Sequence, residues 1–248
     1  MVASPDGTRV LLLARAPVPG ACKRHLEPLL GPDGCARLQA LLVRRAVTWA
    51  TSVAPGAVHL GFDPPAAGEQ ISELTPPEVD VFPQTDGPLG QRLLDALNRA
   101  GRNQPSDRAA GSATRPADGS TTRPAAGPIL IAGVDMPTLA PAHAEAVLDD
   151  VADGWDVSFG PSTGGGCYLL GLGRAGTEFF DNAIGDAAFG ASTRAELVER
   201  ALAASRERHL KVGLLRSERE LHDPADVRAL LADPLTPADL VAALQPSS

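Results

Sequence analysis

No stretch of this chain stays apolar for long. None approaches the roughly 18 residues that a membrane-spanning helix needs, so no membrane span is expected. Basic charge is scarce as well. Twenty-two Lys and Arg stand against 30 Asp and Glu, leaving a formal net charge of −8 and a pI near 5.1. With no basic stripe, a partner that is a nucleic-acid polymer is excluded from the expectations. A single nucleotide stays open, because one phosphate site needs a few local donors only. Cysteine is limited to Cys22, Cys35 and Cys167, an odd number without metal-type spacing. That pattern argues against a structural zinc site and fits reduced thiols in a cytoplasmic protein. The polar segment Met1–Thr8 has no apolar core of a secretory leader, so none is expected. Two phosphate-binding signatures are also missing, the Rossmann G-x-G-x-x-G and the Walker loop. Their absence argues against a nicotinamide oxidoreductase.

What remains is ordinary globular material, 44% hydrophobic and 21% charged, in a strand–helix alternation. Apolar runs predict strands at 9–14, 58–62, 79–82, 129–132, 157–159 and 211–215, and a further apolar stretch lies at 169–172. Helices are expected over 32–52, 89–100, 141–152, 193–208 and about 224–232, with a further small one in the tail. Pro32, Thr193 with Glu196, and Asp223 with Pro224 supply the start signals. The expected fold is a single α/β domain spanning 1–248, an α/β/α sandwich around a mostly parallel sheet. Residues 101–127 break the pattern. They hold Gly, Pro, Ser, Thr, Arg and Ala, with a near-repeat at Thr114 and Thr122. Such a segment buries too little apolar surface to offset its ordering entropy, and reads as a flexible insertion.

Five places carry candidate chemistry. The run Ile129–Ala132 stops at Gly133, and Asp135 and Pro137 follow. Ligands of open α/β sheets bind beyond the carboxyl ends of the strands. Asp135 is therefore either a divalent-cation ligand there or a turn cap. The loop from Ala14 through Pro17 and Gly20 to Lys23 and Arg24 can cradle phosphate with backbone N–H groups and a counter-charge, or be a solvated turn. Gln84–Arg92 leads a Gly-containing turn into a helix. Gly160–Tyr168 contains three consecutive glycines, which suit close approach of a ligand or a hairpin tip. Glu220–Asp226 offers His222 and Asp223 as a second metal ligand, although Asp-Pro also caps a helix unaided.

These elements, in this order, resemble the nucleotide-diphospho-sugar transferase superfamily with its GT-A-type fold, and within it the arsenosugar-biosynthesis-type glycosyltransferase family. That family is kin to the 2-phospho-lactate and molybdenum-cofactor guanylyltransferases. The resemblance implies that Asp135 and Lys23 are catalytic. It implies nucleotide contacts by Ala14, Pro17, Gly20, Lys23, Arg24, Gly90 and Arg92, and substrate contacts by Gly165, Gly166 and Tyr168. It also implies that Asp135 and Asp223 hold Mg²⁺ or Mn²⁺. The expected partners are an NTP or NDP-sugar and a small-molecule acceptor. The chain departs from the family pattern in several places. Arg15 stands for Lys and Pro88 for an acid. Arg24-His25 stands for Thr-Arg, Gly164 for an acid, Cys167 for Tyr, and His222-Asp223 for Asp-Thr. Two functions follow: a metal-dependent glycosyl- or nucleotidyltransferase, or a catalytically degenerate relative that binds a nucleotide or a protein.

Overall fold

The computed structural model describes Pro5 and residues 7–102, 127–173 and 193–245. Seven strands form one sheet: β1 (Arg9–Arg15), β2 (Val58–Asp63), β3 (Asp80–Pro83), β4 (Ile129–Gly133), β5 (Val157–Pro161), β6 (Cys167–Leu172) and β7 (Val212–Leu214). Their order is β3-β2-β1-β4-β6-β5-β7. All pairings are parallel except those of β6, which runs antiparallel to both β4 and β5. The chain leaves β1 toward β2 and β3 on one side, then returns to place β4 on the other. The crevice between β1 and β4 is thus a topological switch point.

Among the described residues the helices are α1 (Glu27–Val53), α2 (Gly68–Ser72), α3 (Leu89–Arg102), α4 (Pro141–Ala152), α5 (Arg194–Arg208), α6 (Pro224–Ala232) and α7 (Ala238–Leu244). They cover both faces of the sheet. Strand alternation sends Val10, Leu12 and Ala14 into one core with α1 and α4. Leu11 enters the opposite core with Leu93 and Leu97 of α3 and Leu197 of α5. The sandwich inferred from the strand–helix alternation is the fold observed. A third apolar cluster joins Leu26, Leu30, Leu38 and Leu42 to Leu221, Val227, Leu230, Leu240 and Leu244. It docks α6 and α7 on the first half of α1.

Local signals explain most boundaries. Gly31 (φ 67°, ψ 168°) interrupts α1, so the regular helix restarts at the expected Pro32. Thr193 caps α5 by accepting the Glu196 N–H at 3.1 Å. The short α2 lacked a legible sequence signal, since five residues are too few for a periodicity. The expected insertion lies, apart from its edges, outside the described residues. Among those residues no helix is long and apolar enough to cross a membrane.

Gly171 of β6 sets the spacing between sheet and α4. A Cβ there would lie 2.1 Å from Val147 Cγ1, a contact between two buried positions. Gly171→Ala is expected to cost about 1–3 kcal/mol through overpacking. Val147→Ala added to it should recover part of that loss in urea denaturation, whereas simple additivity of the two losses would show that this contact does not set the packing.

Candidate active site

Three chain segments meet at the carboxyl ends of β1 and β4. Asp135 lies two residues beyond β4 and is about half exposed. Its Oδ1 is 2.8 Å from Lys23 Nζ, whose side chain is 5% exposed. The same ammonium donates to the Leu221 carbonyl at 2.6 Å, and the Leu221 N–H donates to the Asp135 carbonyl at 2.8 Å. First loop, β4 loop and the segment before α6 are therefore tied at one knot. Lys23 itself has φ 48° and ψ 36°. A left-handed conformation at a non-glycine residue costs of order 1–2 kcal/mol, and such strain gathers at functional sites. It turns the chain inward, where Cys35 Sγ donates to the Lys23 carbonyl at 3.4 Å.

Beside the knot lies a cavity of about 580 Å³. It is lined by Leu13, Leu89, Ile131 and Gly133, by the glycine turn 162–167, and by Arg219, Glu220, His222, Asp223, Ala225 and Asp226. Gly165 (φ 104°) and Gly166 (φ 73°) adopt backbone conformations that side chains resist. Ser162 closes the turn by accepting the Gly164 N–H on Oγ and the Gly165 N–H on its carbonyl. Glu218 holds the turn from outside, donating its N–H to Pro161 and accepting that of Thr163. His143 Nδ1 accepts the Ala140 N–H at 3.0 Å, which leaves Nε2 to donate to Glu218 Oε1 at 3.4 Å.

Glu220 is the functional candidate that the sequence reading missed. It lines the cavity, and burial pushes its carboxyl up to about 7. A hydrogen bond with Ser162 and the Lys23 charge oppose the rise, while Asp135 and Asp226 add to it. Asp223 also lines the cavity, but its Oδ1 accepts the N–H groups of Ala225 at 2.7 Å and Asp226 at 3.0 Å as the cap of α6. Asp226 reciprocates to the His222 and Asp223 N–H groups and pairs with Arg219. Burial alone would raise its pKa, but these donors outweigh it and hold the carboxyl below the usual range.

Residues 46–184, more than half of the chain, match the family model DUF2064, an uncharacterized protein conserved in bacteria. The chain belongs to this family. No curated protein sequence matches it. A solved structure from Desulfovibrio desulfuricans G20, provisionally described as a nucleotide-diphospho-sugar transferase, is 20% identical with a TM-score of 0.74. That match covers 97% of this chain and 94% of the other. A CMP:2-keto-3-deoxy-manno-octonic acid synthetase complexed with CTP is 12% identical, with a TM-score of 0.51 over 92% of this chain and 99% of its own. A 4-diphosphocytidyl-2C-methyl-D-erythritol synthase is 11% identical, with a TM-score of 0.51 over 93% and 100%. At these identities the likeness establishes the fold, which the DUF2064 chain shares with nucleotide-diphospho-sugar transferases and cytidylyl-group synthases.

The expected site residues of this DUF2064 protein divide into two groups. Asp135, Asp223, Gly165 and Gly166 line the cavity, and Lys23 reaches its edge through Asp135. Ala14, Pro17, Gly20, Arg24, Gly90 and Arg92 are not among the lining residues. Arg92 instead donates to Gln84 Oε1 at 2.9 Å, and Gln84 Nε2 donates to the carbonyls of Ala14 and Gly61. That places Arg92 over the ends of β1 and β2. Tyr168, expected to contact substrate, is buried on the other side of the sheet in the core with α4, where its hydroxyl donates to the Arg216 carbonyl at 3.2 Å. The reason is strand alternation: Cys167 faces the cavity, so its neighbour faces away. Burial pushes the Cys167 thiol up to about 12, which makes it a poor nucleophile.

Glu220 also predicts a pH dependence. Its pKa lies above the ordinary glutamate value of 4.5. The neutral carboxyl thus stabilises the fold fully below about pH 4.5, and that contribution disappears as pH rises through about 7. The difference amounts to roughly 3 kcal/mol. With EDTA present, Glu220→Gln should remove this decline, so that urea denaturation at pH 8 finds the variant more stable than the parent. Parallel pH profiles for the two proteins would show that Glu220 ionises in the fold as it does in water.

Proposed function

We propose that the chain is a transferase that uses a nucleotide-linked donor, an NTP or an NDP-sugar, with a small-molecule acceptor. The observation that carries this reading is the buried Lys23 ammonium held against Asp135 at the switch-point cavity. A fixed positive charge at the end of β1, beside a half-exposed carboxylate at the end of β4, suits a phosphate chain on one side and a cation on the other. The finer likeness to arsenosugar-type glycosyltransferases and to the guanylyltransferases belongs to the same proposal.

The donor set fits Mg²⁺ or Mn²⁺ in kind. Asp135 and Glu220 supply oxygens, and Asp223 has one oxygen beyond the one that caps α6. Among the described residues no cluster of three ligands is preformed. Mg²⁺ needs no such cage, because it takes one or two carboxylates and completes its shell with phosphates and water. When bound, the ion would neutralise phosphate charge. Lys23 would hold the donor phosphates by charge, and the glycine turn would admit the acceptor against bare backbone. In the nucleotidyl version an acceptor phosphate attacks the α-phosphorus and pyrophosphate leaves. In the glycosyl version an acceptor hydroxyl attacks the anomeric carbon and a nucleoside diphosphate leaves. The rival reading is a nucleotide binder without turnover, favoured by Gly164 standing where the family pattern has an acid.

Mass-spectrometric turnover over a panel of NTPs and NDP-sugars tests the proposal. Asp135→Asn should lower turnover by roughly 10²-fold or more and abolish any Mg²⁺-dependent thermal shift with nucleotide. Its stability should fall by only about 1–3 kcal/mol, from the weakened Lys23 pair. Unchanged turnover in Asp135→Asn would sink the reading.

Gly164→Asp separates the two alternatives. A Cβ at Gly164 meets nothing nearer than Ser162 Oγ at 4.0 Å, so the acid can be restored without strain. If the parent chain is degenerate, the variant should gain turnover or metal-dependent binding. If the parent is already active, little should change.

A further inference from the structure

Two histidines far apart in the chain meet in space. His25 lies in the 3₁₀ turn Arg24–Leu26, and His222 lies just ahead of α6, far along the chain. Their ring centroids are 4.9 Å apart with planes inclined at 44°. Both side chains are exposed. Their neighbours explain the meeting. Leu26 and Leu221 are fully buried in one apolar cluster, so the adjacent histidines are carried to the same surface. The Lys23–Leu221 hydrogen bond ties the two segments a second time. Among the described residues neither imidazole makes a hydrogen bond or an ion pair, so all four ring nitrogens are free of protein partners.

A pair of adjacent imidazoles without other protein partners has a definite chemistry. Neutral imidazole suits zinc, nickel, copper and cobalt ions, whereas Mg²⁺ selects oxygen. With a metal–nitrogen bond of about 2.0–2.1 Å, a metal lies roughly 3.2 Å from each ring centre. Two rings ligating one ion at a near-tetrahedral angle then have centres roughly 5 Å apart. The observed separation of 4.9 Å lies close to that value. His222 also lines the cavity, so the ion's remaining positions would face solvent or whatever the cavity holds.

We propose that His25 and His222 form a two-imidazole site for a borderline divalent cation of the zinc, nickel or cobalt class at the mouth of the cavity. It is separate from the carboxylates Asp135 and Glu220, and it stands whether or not the transferase reading does. Such an ion would staple the first loop to the segment before α6 and present an open coordination position to a phosphate or carboxylate entering the cavity.

The test uses untagged full-length protein, because a polyhistidine tag would bind the same ions. Calorimetric titration with Zn²⁺ and visible spectroscopy with Co²⁺ should find one strong site per chain. His25→Ala and His222→Ala should each weaken it tenfold or more, with thermal melts in EDTA unchanged. The double variant His25→Arg/His222→Asp, which places an ion pair where the two rings were, should stay folded and lose the site. Asp135→Asn and Glu220→Gln should keep it, and a millimolar excess of Mg²⁺ should leave the Zn²⁺ in place. No Zn²⁺ binding by the parent protein would overturn the proposal. So would undiminished binding in the folded double variant, or displacement of the ion by Mg²⁺.

Discussion

A lysine ammonium that is almost out of solvent cannot stand alone, and much of this architecture is arranged around that constraint. Lys23 keeps its charge company with Asp135 and its remaining donor capacity partly on the Leu221 carbonyl. Each partner requires a different part of the fold. Asp135 must leave β4 at the sheet's switch point. Leu221 must be pressed into the cluster under α6 and α7. Lys23 must accept a left-handed backbone conformation to aim inward. Loss of either partner would leave the buried charge less well compensated, so the three segments stabilise one another.

The third apolar cluster therefore has a role beyond packing. The two cores on the faces of the sheet would be complete without α6 and α7. Docking those helices on α1 brings the 219–226 stretch over the ends of β1 and β4 and gives the cavity its remaining wall. It leaves Glu220 half-buried in the cavity wall, where desolvation raises its pKa. It also brings His222 to His25. On the opposite wall the glycine turn is held in shape by Ser162 from within and by the His143–Glu218 contact from outside.

Much of the fold was legible in advance, for local reasons. β1, β2 and β4 are apolar runs of strand length, and α4 and α5 begin at Pro141 and after Thr193, where proline and a hydroxyl cap mark a helix start. Asp135 was legible as well, because an acid just past an apolar run falls at a strand's carboxyl end. Glu220 was not, since in Glu220-Leu-His-Asp it reads as one more charge before a helix cap. Tyr168 enters the expected site only through the family resemblance of its motif. Alternation along β6, with Cys167 toward the cavity, was the signal that would have corrected it.

The sequence by itself determined the strand–helix order, the helix caps and the chemical inventory at the strand ends. These depend on interactions between residues close along the chain, which a linear reading can follow. Which acids are buried and which face a lysine was decided by the tertiary structure. Asp223, Asp226 and Glu220 lie within seven residues of one another, yet one caps a helix, one locks that cap and one is desolvated in the cavity. The cap and its lock are local, whereas the desolvation of Glu220 arises from what packs against it. That comes from β4, from the glycine turn and from the first loop, and neither spacing nor composition encodes distances to segments so remote in the chain.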